Sequence, residues 1–259
     1  LLAESPEAVF TRFAAEAPGG DSAGGAAGLG DFAGRLWDGA KEALRQLTYW
    51  QMKKRAAVVG KEGLGPLVGR LAAATPELRI HLIGHSFGGR LACFTLAGLP
   101  AAALRPASPV KSVLVLQGAF SHFAFADALP HDRSRGGALK GMAARVDGPL
   151  VVTHTTFDKA VGTFYPLASI SARDDAAALE DRLYRWGAMG HDGAQAVPAD
   201  TVPLGRVGQA YAFRPGRFCN LDGNRIITRG GPPSGAHSDI LHPEIAWAAV
   251  AAAGLTGGG

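Results

Sequence analysis

The chain has 259 residues, 47% hydrophobic and 19% charged, which is enough apolar material for a sizeable core and excludes whole-chain disorder. Its 26 basic and 22 acidic residues leave a net charge of +4, a weak field over this length. No dense Lys/Arg stripe with interleaved aromatics occurs, so nucleic acid is not an expected partner.

The longest apolar run, counting glycine, is Ile245 to Leu255, eleven residues and about half of a bilayer crossing, so no transmembrane segment is expected. The 36 glycines and 16 prolines make up about a fifth of the chain, against roughly 12% in average usage, and imply many turns and close backbone approaches. Cys93 and Cys219 form neither a disulfide framework nor a metal quartet and read as free, buried thiols of a reducing compartment. Leu1 and Leu2 are followed almost at once by Glu4, Ser5 and Pro6, which is no signal peptide, so a cytoplasmic location is expected.

Residues 1–77 read as a helical N-terminal region packing on the same domain as 78–259. Ser5 and Pro6 open a helix to Ala17, and the Gly-rich stretch 18–30 reads as a flexible loop. Asp31 caps a long helix to about Val59, with Leu36, Ala40, Ala43, Leu44, Leu47 and Trp50 at helical spacing and Gly60 as its stop. Leu64, Leu67, Val68 and Leu71 then carry a second helix, and Met52-Lys53-Lys54-Arg55 reads as a solvated helix face.

From Leu78 onward, short apolar strands alternate with helical segments, the pattern of an α/β fold with a mostly parallel sheet flanked by helices. Strands are predicted at Leu78–Ile83, Ser112–Leu116 and Leu150–Thr153, with a further one near Tyr211–Asn220 that could continue through Arg225–Thr228. Helices are predicted at about Asp174–Trp186 and Glu244–Ala253; the Gly/Pro-rich remainder between Ile170 and Gly208 has no assignable pattern.

The strongest local signal is Gly84-His85-Ser86-Phe87-Gly88-Gly89, a G-x-S-x-G pattern. The alternating strand Leu78–Ile83 runs into it, and the helical segment Arg90–Ala97 runs out. A serine on so tight a strand-to-helix turn adopts a strained backbone, and glycines two before and two after it are expected to provide the room. Its hydroxyl would then project above the sheet edge, with backbone N–H groups at a helix N-terminus facing any developing oxyanion. Gly20-Asp21-Ser22-Ala23-Gly24 fits the same letters, but neither strand nor helix flanks it, so Ser22 reads as a loop residue.

In this setting the sequence resembles the α/β-hydrolase superfamily of serine hydrolases, from about Leu78 to Gly254. In that family the acid follows a Pro-led apolar strand; Pro149-Leu150-Val151-Val152 leads here to Asp158, whose other reading is a strand-end turn residue. Asp127, Asp147 and Asp222 are weaker alternatives. The family's histidine lies between the last strand and last helix, where Gly235-Ala236-His237-Ser238-Asp239 stands; His242, next to Pro243, reads as a helix cap.

The resemblance thus implies a cofactor-free serine esterase or related acyl hydrolase with catalytic Ser86, Asp158 and His237, Phe87 as an oxyanion donor, and a small-molecule acyl substrate. A catalytically silent hydrolase-like scaffold, or an acyltransferase using the same residues, is the alternative. His85, Phe120 and Phe123 are candidate substrate contacts, with packing under the helices the competing reading for the two phenylalanines; Phe125, Phe164 and Tyr165 share that ambiguity. His122 and His154 read as pocket-lining or hydrogen-bonded core histidines, and no metal site is expected. The chain departs from the family in having no strand or His-Gly dipeptide before the elbow to supply a second oxyanion donor; the family's early strands are expected either upstream of Leu1 or missing from a reduced variant.

Overall fold

The structure is a computed structural model that describes residues 51–164, 184–231 and 234–256, all within the compact unit Gln46–Gly259. The predicted helix at 6–17, the Gly-rich stretch with Ser22, the long helix up to Trp50, most of the helix at 174–186, and Tyr165 lie outside the described residues.

Five parallel strands form one sheet: β1 (Ile80–His85), β2 (Val110–Leu116), β3 (Leu150–His154), β4 (Ala199–Pro203) and β5 (Phe218–Asp222), in the order β1-β2-β3-β5-β4. Because all run the same way, their carboxyl ends share one edge, with His85 opposite Leu116, Leu116 opposite Thr153 and Thr153 opposite Leu221. The helices are α1 (Gly65–Ala74), α2 (Phe87–Gly98), the one-turn α3 (Met189–Asp192) and α4 (Pro243–Ala252). No helix among the described residues is long and apolar enough to cross a membrane.

The central strands are apolar at consecutive positions because helices cover both faces of the sheet. Successive side chains point to opposite sides. Val113 and Val115 of β2 join Ala92, Cys93 and Leu96 of α2 in one buried cluster, with Leu150, Val152 and Phe218. Leu114 and Leu116 join Ile245, Ala248 and Ala252 of α4 in another, with Val151 and Leu221. Each fully buried Leu or Val contributes about 1.5–3 kcal/mol. Pro243 opens α4, its ring matching the first helical position, where no intrahelical N–H bond is lost.

Several sequence expectations are corrected. Gly60 does not stop a helix: residues 51–58 run helically into a π-turn, Val59–Leu64, and on into α1. Gly60 is a packing position, because a Cβ there would run into the Leu91 carbonyl of α2; Gly65 and Gly98 are likewise pressed against backbone across the same contact. β5 ends at Asp222 and does not continue through 225–228, where the chain turns and Asn224 donates its backbone N–H to the Asp222 carboxylate. Tyr211 and Phe213 precede β5 outside the sheet, their rings stacked at 4.8 Å between centroids. β4 falls in the stretch without an assignable pattern, because as an edge strand it leaves most of its short polar sequence in solvent. At the other edge β1 pairs, among the described residues, only with β2, and Ile83 is 56% exposed.

Candidate active site

Ser86 stands between β1 and α2 with φ 57° and ψ −122°, a conformation rare for a non-glycine residue. Three backbone bonds hold it: its N–H donates to the Leu116 carbonyl at 3.0 Å, and its own carbonyl accepts from Gly89 and Ala119, each at 3.2 Å. A Cβ on Gly84 would strike the Gly88 carbonyl, and one on Gly89 would lie 2.9 Å from Val115 Cγ1. Gly88 has nothing within 4 Å of such a Cβ, so the expectation that both motif glycines are sterically required holds only for Gly84. The close approach is of the Gly84 Cα to the backbone of residues 88 and 89, which one missing side chain resolves.

Asp158 lies on the loop after β3 and is fully buried, a position a carboxylate occupies only with hydrogen-bond partners. Its Oδ2 lies 2.8 Å from His237 Nδ1, and its Oδ1 accepts the Val161 N–H at 3.2 Å. His237 Nε2 lies 2.8 Å from Ser86 Oγ. With Asp158 as the carboxylate, Nδ1 carries the proton, and Nε2 presents its lone pair to the Ser86 hydroxyl. Residues 151 and 79 positions away from His237 thus meet it on its two ring nitrogens.

The acid and histidine loops are stitched together by backbone. Asp158 and Gly235 form an isolated antiparallel bridge, Ala236 N–H donates to the Phe157 carbonyl at 2.9 Å, and Lys159 and Ala160 N–H both donate to the Ser234 carbonyl at 3.1 Å. Gly235 has φ 60°, and a Cβ there would meet the Phe157 carbonyl, so this crossing needs glycine on both counts. Beyond the histidine, the Asp239 carboxylate accepts the N–H groups of Thr228 and Arg229, each at 2.9 Å, and pairs with His242 Nε2 at 2.8 Å. His242 is therefore committed to Asp239 and to the N-cap position of α4. The Asn224 side-chain oxygen accepts from Thr156 N–H and from the Thr155 and Thr156 hydroxyls, fixing the approach to Asp158.

His85 donates from Nε2 to the His237 backbone carbonyl at 2.8 Å, and the two rings sit 4.9 Å apart. Burial lowers the pKa of His85, a shift only partly offset by that hydrogen bond and by the Asp158 charge. A neutral His85 with its proton on Nε2 fits this contact, since a carbonyl only accepts. Gln117, fully buried at the end of β2 with φ 39°, also donates to the histidine loop. Sequence reasoning overlooked Gln117, Asn224 and Asp239; the one available signal was a lone amide closing the apolar run Val113-Leu114-Val115-Leu116.

Phe87 opens α2, with its side chain packed against Ala119, Val161 and Ala188. Phe120 and Phe123 are 0% and 2% exposed: Phe120 packs in the core beneath α2, and Phe123 lies against His122, His131 and Tyr184. His122 is buried and bonded through Nδ1 to Asp192 at 2.9 Å, and His154 is half-buried. Asp147 pairs with Lys111 at 2.6 Å, Asp222 accepts from Asn224, and Asp127 is exposed. Burial pushes the Cys93 thiol up to about 12 and that of half-buried Cys219 up to about 11. Among the described residues, no group of three His, Cys, Asp or Glu side chains has a geometry able to hold a metal ion.

Comparison with family models, with curated proteins and with solved structures finds no match. What is established is the fold class: an α/β protein with a five-stranded, all-parallel sheet flanked by helices, and a Ser–His–Asp hydrogen-bonded array at the carboxyl edge of that sheet.

Proposed function

We propose that this chain is a serine hydrolase of the α/β-hydrolase type, cleaving a carboxylic ester or related acyl bond through an acyl-enzyme intermediate. The observation that carries this reading is the unbroken array Ser86 Oγ, His237 Nε2, His237 Nδ1 and Asp158 Oδ2, with both contacts at 2.8 Å. A strained serine at a strand-to-helix turn, hydrogen-bonded to a histidine whose other nitrogen meets a buried carboxylate, is the arrangement that activates a hydroxyl for acyl transfer.

On this mechanism the Ser86 oxygen attacks the acyl carbonyl as its proton passes to His237 Nε2. Asp158 fixes the tautomer and stabilises the imidazolium so formed. The imidazolium returns the proton to the departing alkoxide or amine, leaving an ester on Ser86. Water then gives its proton to the same histidine as it attacks that ester; the Ser86 Oγ–acyl bond breaks, the acid leaves, and His237 returns the proton to the Ser86 oxygen. The Phe87 backbone N–H, at the N-terminus of α2, is the proposed oxyanion donor, a role worth about 3–4 kcal/mol where such donors have been removed.

Reaction with a fluorophosphonate probe tests the proposal directly. Covalent labelling should map to Ser86 and vanish in Ser86→Ala, and a series of p-nitrophenyl esters of increasing chain length should then define the acyl preference. Absence of Ser86-dependent labelling by a folded protein would overturn the proposal and favour a silent scaffold.

A further inference from the structure

Resting on that reading, we infer that Gln117 and His85 are positioning residues that clamp the main chain of His237 and thereby set its reach to Ser86. The His237 carbonyl accepts two side-chain donors from different strands: His85 Nε2, at the end of β1, at 2.8 Å and Gln117 Nε2, just past β2, at 3.4 Å. The Gln117 amide also reaches the Ala236 carbonyl at 3.3 Å.

Every polar group of Gln117 recorded in this network has a defined direction. Its backbone N–H donates to Thr153 Oγ1 at 3.3 Å, and the Thr153 hydroxyl donates back to Gln117 Oε1 at 3.0 Å. That leaves the amide nitrogen facing the two carbonyls, and the opposite orientation would set the amide oxygen against both carbonyl oxygens. Gln117 and Thr153 are both fully buried, so no water offers an alternative partner. The positive φ of Gln117 turns the chain out of β2 at the same point, a strained conformation held by these bonds.

The clamp acts where the backbone stitching does not. On one side of the histidine the last bond to the acid loop is made by Ala236 N–H, and on the other the Asp239 carboxylate anchors the chain to residues 228 and 229. The peptide that carries the imidazole lies between these anchors, and its carbonyl is tied across the sheet edge by His85 and Gln117. His85 adjoins Ser86 in sequence, so one bond couples the serine turn directly to the histidine main chain. Displacements of about 1 Å at a reacting group can cost on the order of 100-fold in rate, so holding this peptide is a catalytic matter and not only one of packing.

The test uses the whole chain and a fluorophosphonate, measuring the limiting inactivation rate and the half-saturating probe concentration. Gln117→Met and His85→Phe retain bulk but lose the donor. Each should lower the limiting rate by about 10- to 100-fold, with the half-saturating concentration essentially unchanged. His85→Gln, whose amide nitrogen can reach the same carbonyl, should recover most of the loss. Folded Gln117→Met and His85→Phe proteins that react at the wild-type rate would overturn the inference, as would a loss that His85→Gln does not recover. Should Gln117→Met fail to fold, the His85 pair decides. A wild-type chain that is not labelled at Ser86 overturns the functional reading itself, and the inference with it.

Discussion

Replacing Asp158 with asparagine tests the proposed mechanism most sharply, because both carboxylate oxygens are engaged in a fully buried site. Oδ1 accepts the Val161 N–H, so the asparagine oxygen belongs on that side and its NH2 group faces His237 Nδ1. Nδ1 must then accept, the ring proton moves to Nε2, and the lone pair that should receive the Ser86 proton is gone. The opposite amide orientation restores the productive tautomer only by facing NH2 toward the Val161 N–H, a buried clash of donors costing about 1–3 kcal/mol. That term alone reduces the competent population by about 5- to 150-fold. Loss of the negative charge beside the developing imidazolium adds to it, and the total expected is about 10⁴-fold, or about 5.5 kcal/mol. Folding should change little, since the amide still bonds on both sides. The assay is the fluorophosphonate inactivation rate, with thermal unfolding as the control. A folded Asp158→Asn protein reacting within tenfold of wild type would refute this account of the site.

Gly84→Ala should destabilise by about 1–3 kcal/mol or more, because its Cβ meets the Gly88 carbonyl. Gly88→Ala, with open space around it inside α2, should be neutral or gain up to about 1 kcal/mol; urea unfolding of both variants would refute the packing argument if the order were reversed. Burial lowers the pKa of His154, so over the window below its ordinary value of about 6.5 the unfolded chain binds more protons than the folded one. Stability should therefore be complete above that pH and fall as pH drops through the lowered folded value; His154→Phe should flatten this slope in urea unfolding series at pH 5 to 7, and an unchanged slope would remove His154 from the account. Cys93, buried and held as a thiol up to about 12, should resist Ellman's reagent at pH 8 until denaturant is added, and prompt reaction at Cys93 in the native protein would contradict its burial on the core-facing side of α2.

Local sequence was enough to define the Ser86 turn. A strand, a short-range glycine requirement and an emerging helix are all encoded within about a dozen neighbouring residues, and the turn follows from their sterics. The strands β2 and β3 were legible for a similar reason: burial on both faces writes an unbroken apolar run into the sequence, at 113–116 and 150–152. β5, in contrast, carries Asn220 and Asp222 and overlaps the strand expected near Tyr211–Asn220 only at 218–220. β4 was not legible, because an exposed edge strand leaves no such imprint in its polar residues. Gly60 was misread because a helix stop and a helix-packing glycine are the same letter, and only the approach of α2 distinguishes them.

Asp158 and His237 were suggested by a resemblance in chain order, and neither has a local pattern that would single it out among the other carboxylates and histidines. Tertiary structure decides their meeting. The sheet places the ends of β1, β2 and β3 side by side, and backbone bonds between the 157–160 and 234–236 loops bring the histidine onto the acid. Gln117 and His85 belong wholly to this second kind of information: what they do depends on a carbonyl more than a hundred positions away, and hydrogen-bond directionality over such separations is fixed by the fold alone.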